Sequence, residues 1–191
     1  FIILAERWMS LWKETLELQH NQEQLLLNIG CTDSLNIAVF VPLYDKILMN
    51  YPHLDLSIQS HHSSELYGML SEHNIDIGFV YHQLHYKNII SEKLFEEKLY
   101  LVQSEHPTVE KPIVHTDELD PTKELFLSWD DNFQIWHDRW LSSVSRPHIS
   151  ADTITLLDRL WKNADTWMIA PESVIHELSR YRKVYVSELK N

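Results

Sequence analysis

The chain has 191 residues, 44% hydrophobic and 23% charged, which supplies one large core or two smaller ones and excludes a disordered or fibrous protein. A formal net charge of -12 would be repelled by phosphate backbones, so the chain alone should bind DNA poorly. Lys, Glu, Asp or His interrupts every apolar run before it could cross a bilayer, and Cys31, the lone cysteine, forbids an internal disulfide and fits a cytoplasmic setting.

Residues 1–20 are predicted as a helix. Phe1, Leu4, Trp8, Leu11, Thr15 and Leu18 recur at spacings of three and four, while Glu6, Arg7, Lys13, Glu14 and Glu17 fall off that seam. Such a helix packs on its own domain or pairs with a copy of itself, and the pattern alone leaves both open. The start carries no basic lead or small-residue cleavage site of a signal peptide, and a chain that opens without Met reads as a piece of a longer protein.

From Leu25 the period shortens. Residues 25–30 form a nearly continuous apolar run, the pattern of a strand buried on both faces. Asp33 or Ser34 is suited to cap a helix from near Leu35 to Asn50, with Phe40, Leu43 and Ile47 inward, and Pro42 kinks it or marks a second start. Residues 54–59 alternate as a strand, Ser63-Ser64 with Glu65 opens a helix over Glu65 to His73, and 75–80 is a third strand. Strand, helix, strand at this pace predicts βαβ units and a parallel sheet, with ligands at the turns that follow the strands.

The second half repeats the alternation. Strands are predicted at 98–102, 124–128, 147–150, 166–170 and 183–186, and helices at 132–142, 153–163 and 171–179. The fold class is therefore α/β, in two lobes spanning 25–99 and 100–191 after the helix of residues 1–20.

Several of these stretches resemble the effector-binding domain of LysR-type transcription regulators. They are Leu27-Asn28-Ile29-Gly30 with its hydroxyl-bearing turn, the Pro-containing helix closed by Tyr51-Pro52, and Glu65 to Leu70 leading into Ile75-Asp76-Ile77-Gly78-Phe79. Residues 92–102 followed by His106-Pro107 complete the ordered set. The resemblance implies two Rossmann-like lobes of the periplasmic-binding-protein kind (type 2), with a small-molecule effector between them. It also implies that residues 1–20 are the linker helix, which pairs in a homodimer or homotetramer and joins the sensor to a DNA-binding domain. Three departures stand out. That domain does not precede Phe1, the family's Gly-x-Gly turn is here Ala164-Asp165-Thr166, and the chain ends at Asn191, where the return towards the first lobe should begin.

By position, Thr32, Asp33, Ser34 and Ser63 match the family's ligand-facing hydroxyl turns, with Tyr81, Trp129, Asp130, Asp152 and Thr153 expected on the opposite sides. Helix amino ends there would suit an anion, a role that the charge of Asp33 opposes unless it is turned away or spent on a cap. No Arg stands at a predicted cleft turn, so aromatic or neutral polar effectors are equally open. Leu4, Trp8 and Leu11 on the linker, Phe40, Leu43 and Ile47 on the next helix, and Trp136 and Trp140 are the candidate dimer contacts.

His61, His62 and His82 fall on one predicted rim, but among twelve scattered histidines no compact metal spacing exists, and no metal or cofactor is expected. Cys31 at a helix start is either an activated thiol or a small residue filling the turn. The cysteine pair of the family's peroxide sensors is impossible within one chain. No catalytic motif is present, and three glycines exclude a phosphate-cradling loop. The reading is an effector-sensing and oligomerisation domain, with a solute-binding protein of a transport system as the alternative. An enzyme on the same fold would need a catalytic pair, and none is identifiable.

Overall fold

The computed structural model describes residues 25–104, 112–141, 146–163 and 165–190. The expected linker helix, with Leu4, Trp8 and Leu11, lies outside the described residues, as does Ala164. No helix among the described residues is long and apolar enough to cross a membrane.

The first lobe is a three-stranded parallel sheet. Strand β1 (Leu25–Cys31) lies between β2 (Leu54–Ser60) and β3 (Ile77–Phe79), in register from Leu25↔Leu54 to Cys31↔Ser60 and from Ile29↔Ile77 to Cys31↔Phe79. Only the carboxyl half of β1 is buried on both faces, because Leu25 and Leu26 remain exposed, a correction to the expected full burial. Ile29, Cys31, Leu35, Phe40 and Tyr44 form the core on one side. Leu66, Tyr67 and Ile75 are buried too, and Gly30 leaves room for the Leu66 and Ile75 methyls that a β carbon would meet.

The expected helix over 35–50 is three pieces. One helical turn (Asp33–Leu35) passes through a π-type segment (Asn36–Phe40) into α1 (Val41–Asn50), with Pro42 in its first turn, where a missing N–H costs nothing. Pro42 thus marks a second start. The wider π turn shifts the phase of the buried face, so Tyr44 points inward while Leu43 is exposed and Ile47 half-buried. Phe40 stacks on Phe79 at 4.0 Å within this core, which corrects its expected role as a dimer contact. Helix α2 (Ser63–Ser71) joins β2 to β3, and it begins two residues earlier than predicted.

The second lobe is built on β4 (Leu99–Gln103), β5 (Ile113–His115), β6 (Leu125–Phe126), β7 (Ile149–Ser150), β8 (Trp167–Pro171) and β9 (Tyr185–Lys190). One sheet runs β5-β9-β4-β8, with β4 antiparallel to both neighbours and β5 parallel to β9. The parallel pair β6-β7 adjoins it through a bridge from Glu124 to Trp167. Strand β5 was not predicted, and β9 runs to Lys190 in this sheet.

Helices α3 (Asp131–Trp140), α4 (Ile154–Leu160) and α5 (Glu172–Leu178) cover the sheet around a core that includes Leu101, Val102, Leu125, Leu157 and Met168. Buried within it, His137 Nε2 lies 2.8 and 2.9 Å from the two carboxylate oxygens of Glu124. Trp136 is half-buried on α3, and Trp140 is exposed. The lobes touch where α5 packs on the π segment, and Tyr81 packs against both cores.

Candidate ligand-binding cleft

The turns that follow β1, β2 and β3 face those that follow β6 and β7 across a cleft of about 850 Å³. In parallel sheets the carboxyl strand ends form such crevices, and a small-molecule site typically needs about 300–1,000 Å³. Thr32, Asp33, Ser34, Ser63, Tyr81, Trp129, Asp130, Asp152 and Thr153 all line it, so the structure brings the nine sequence-chosen residues to one place.

Each turn is held by specific bonds. Ser34 and Tyr81 share a hydroxyl–hydroxyl bond of 2.7 Å, and the backbone N–H of Tyr81 donates to Ser63 Oγ at 3.2 Å. Burial pushes the Tyr81 phenol above its ordinary value, against a smaller downward pull from Ser34, so it is protonated at neutral pH. The Tyr81 ring meets Trp129 edge-on at 6.0 Å, and the Trp129 indole N–H donates to the carbonyl of Ile169 at 2.8 Å. These two aromatic side chains are thereby fixed in orientation.

Asp33 and Ser34 are not the caps expected of them. Thr32 occupies the cap position, and the Asp33 carboxylate crosses to the second lobe, where it accepts the Thr155 N–H at 3.2 Å and the Thr155 hydroxyl at 3.0 and 3.1 Å. The Asp130 carboxylate caps α3 by accepting the Phe133 N–H at 2.6 Å, and Thr153 Oγ1 accepts the Leu156 N–H at 3.4 Å. Glu65 accepts the His62 N–H at 3.1 Å and faces His61 Nδ1 at 3.4 Å.

The sequence reasoning missed Glu65, Ser128, Asp131 and Ser150 as cleft residues. Ser128 and Ser150 close the strands expected at 124–128 and 147–150, so the rule that residues at carboxyl strand ends face the crevice would have named both. Thr155 had no local signal, since its partner Asp33 is 122 positions away.

His61, His62 and His82 line the cleft, whereas His85 lies elsewhere, and among the described residues no group of three His, Cys, Asp or Glu side chains could hold a metal ion. Cys31 is fully buried, and burial pushes its thiol up to about 12 against a smaller lowering by the Thr32 backbone, so it is a packing residue and not an activated thiol.

A family model for the LysR substrate binding domain matches residues 20–191. The chain belongs to this family. Among curated relatives, the HTH-type transcriptional regulator CzcR of Bacillus anthracis is 22% identical over 163 residues, which cover 84% of this chain and 54% of that protein. The chain thus spans about half the length of the curated relatives it matches.

Among solved structures, the reduced regulatory domain of OxyR2 from Vibrio vulnificus superposes with a TM-score of 0.67 at 17% identity, covering 86% of this chain and 80% of that one. The regulatory domain of MexT from Pseudomonas aeruginosa gives 0.69 at 14% identity, covering 85% and 82%. At these identities the likeness is one of fold. It identifies the LysR chain as the two-lobe, periplasmic-binding-protein-like architecture.

Proposed function

We propose that this chain is the effector-sensing and oligomerisation part of a LysR-type transcription regulator acting in the cytoplasm. A small molecule binds between the lobes, and the change in their geometry passes through residues 1–20 to an N-terminal domain that contacts DNA. A ligand shifts that geometry only by binding one arrangement better than the other.

The observation that carries the reading is the convergence on one inter-lobe cleft of nine residues chosen from the sequence, four of them by resemblance to this family. The acidic surface supports a regulatory role for the chain itself, since it is ill suited to DNA. The solvent-facing apolar side chains of α1 and α3, among them Leu43, Ile135 and Trp140, support side-by-side dimerisation.

A thermal-shift screen of metabolites on the chain and on Ser128→Trp tests the site. Ser128 is exposed and lines the cleft, so the indole fills the cavity without disturbing the core. A ligand that raises the melting temperature of the parent and not of the variant binds in the cleft. Light scattering with and without residues 1–20 tests assembly. A dimer or tetramer that weakens on trimming is expected, whereas a monomer in both cases would bring the solute-binding alternative forward.

A further inference from the structure

We propose that the cleft takes a small organic cation, a protonated amine carried on an apolar or aromatic body, in preference to a carboxylate or phosphate. The proposal rests on the cleft being the effector site and adds the charge of its ligand.

The first argument is the lining. Asp33, Glu65, Asp130, Asp131 and Asp152 supply carboxylates, and among the described residues no Lys or Arg lines the cleft. The groups there able to become positive are His61, His62 and His82, and His61 already faces Glu65.

The second argument is that the anion positions are occupied. Four helical segments begin at this cleft, and backbone N–H groups at such starts are where an anionic effector would be received. At three of the four the protein's own carboxylates already hold an N–H: Asp130 that of Phe133, Glu65 that of His62 and Asp33 that of Thr155. The fourth start, after Thr32, has no side-chain cap but carries the Asp33 carboxylate in its first turn. At those three starts a carboxylate ligand would have to displace a side chain already bonded, and at every one it would approach several like charges.

The third argument is what remains free. The carboxylates of Asp131 and Asp152 are exposed to the cleft and carry no hydrogen bond or ion pair among the described residues. In the same lining, the half-buried Tyr81 and the more deeply buried Trp129 contribute ring edges whose polar atoms are already spent on Ser34 and Ile169. Apolar ring surface in one lining with unpaired carboxylates is the complement of an amine on an apolar body.

Calorimetric titration of the full 191-residue chain with benzylamine, benzyl alcohol and benzoate keeps the ring constant and changes only the charge. Benzylammonium is expected to bind about tenfold more tightly than the alcohol, and benzoate most weakly. In the double variant Asp131→Asn/Asp152→Asn the advantage of the amine over the alcohol disappears. Benzoate binding as tightly as the amine, an advantage that survives the double variant, or no amine binding up to about 10 mM would each overturn the proposal. Ser128→Trp separates the two levels. Binding that prefers benzoate yet is lost in Ser128→Trp overturns only the charge assignment, whereas binding unaffected by Ser128→Trp takes the ligand out of the cleft and overturns the effector-site reading as well.

Discussion

The two lobes secure their sheets differently. In the second, β8 is buried along its whole length and the core extends over helices and strands from Leu101 to Leu178. In the first, β1 begins exposed at Leu25 and ends buried at Cys31, and β2 has no fully buried residue. The first lobe therefore packs its central strand most densely at the carboxyl end, where the cleft is, and the second is the more fully buried of the two. A ligand bound in this cleft, as proposed, would couple binding to the stability of the less buried lobe.

The comparison can be broken most directly in the second lobe. Leu101→Ala removes a fully buried side chain from the second core and should cost about 4 kcal/mol in chemical denaturation. The matched truncation Leu26→Ala, on a side chain that is 58% exposed, should cost less than about 0.5 kcal/mol. Equal effects would refute the asymmetry. His137→Leu strips the buried Glu124 carboxylate of its ring-nitrogen partner and should cost about 3 kcal/mol, again in the second lobe.

A smaller effect sharpens the picture of the first lobe. The Cys31 thiol titrates near its ordinary 9.0 when unfolded and at about 12 when folded. Between those values the unfolded state binds fewer protons, so stability falls as pH rises. From pH 9 to 10 the loss should approach about 1 kcal/mol, and the slope should flatten in Cys31→Ala. Denaturation curves at stepped pH decide it. Finally, Asp33→Ala, which removes the bonds to Thr155, should cost about 1 kcal/mol and widen the distribution of inter-lobe distances measured by spin labels on the two lobes.

Much of this arrangement was legible in the sequence because it depends on strand order and strand ends. The alternation of short apolar runs with helical stretches gave the α/β class, and residues just after each run were the ones to meet in the cleft. What escaped depends on phase and on distance. The π segment Asn36–Phe40 rotated the buried face from Leu43 to Tyr44, a change invisible to a 3.6-residue period. Strand β5, three residues long, offers no clean apolar run, and β9, expected at 183–186, runs on to Lys190 past the buried Ser187, where the apolar pattern stops.

The bond between Asp33 and Thr155 has a consequence in time. Its partners belong to lobes that must each be formed before the carboxylate and the threonine can meet, and the loop it closes is among the longest the chain allows. Such a contact is made late, beyond the rate-limiting step of folding. Its loss should therefore leave the refolding rate nearly unchanged and appear as faster unfolding, so that the clasp governs how long the sensor holds its shape once made.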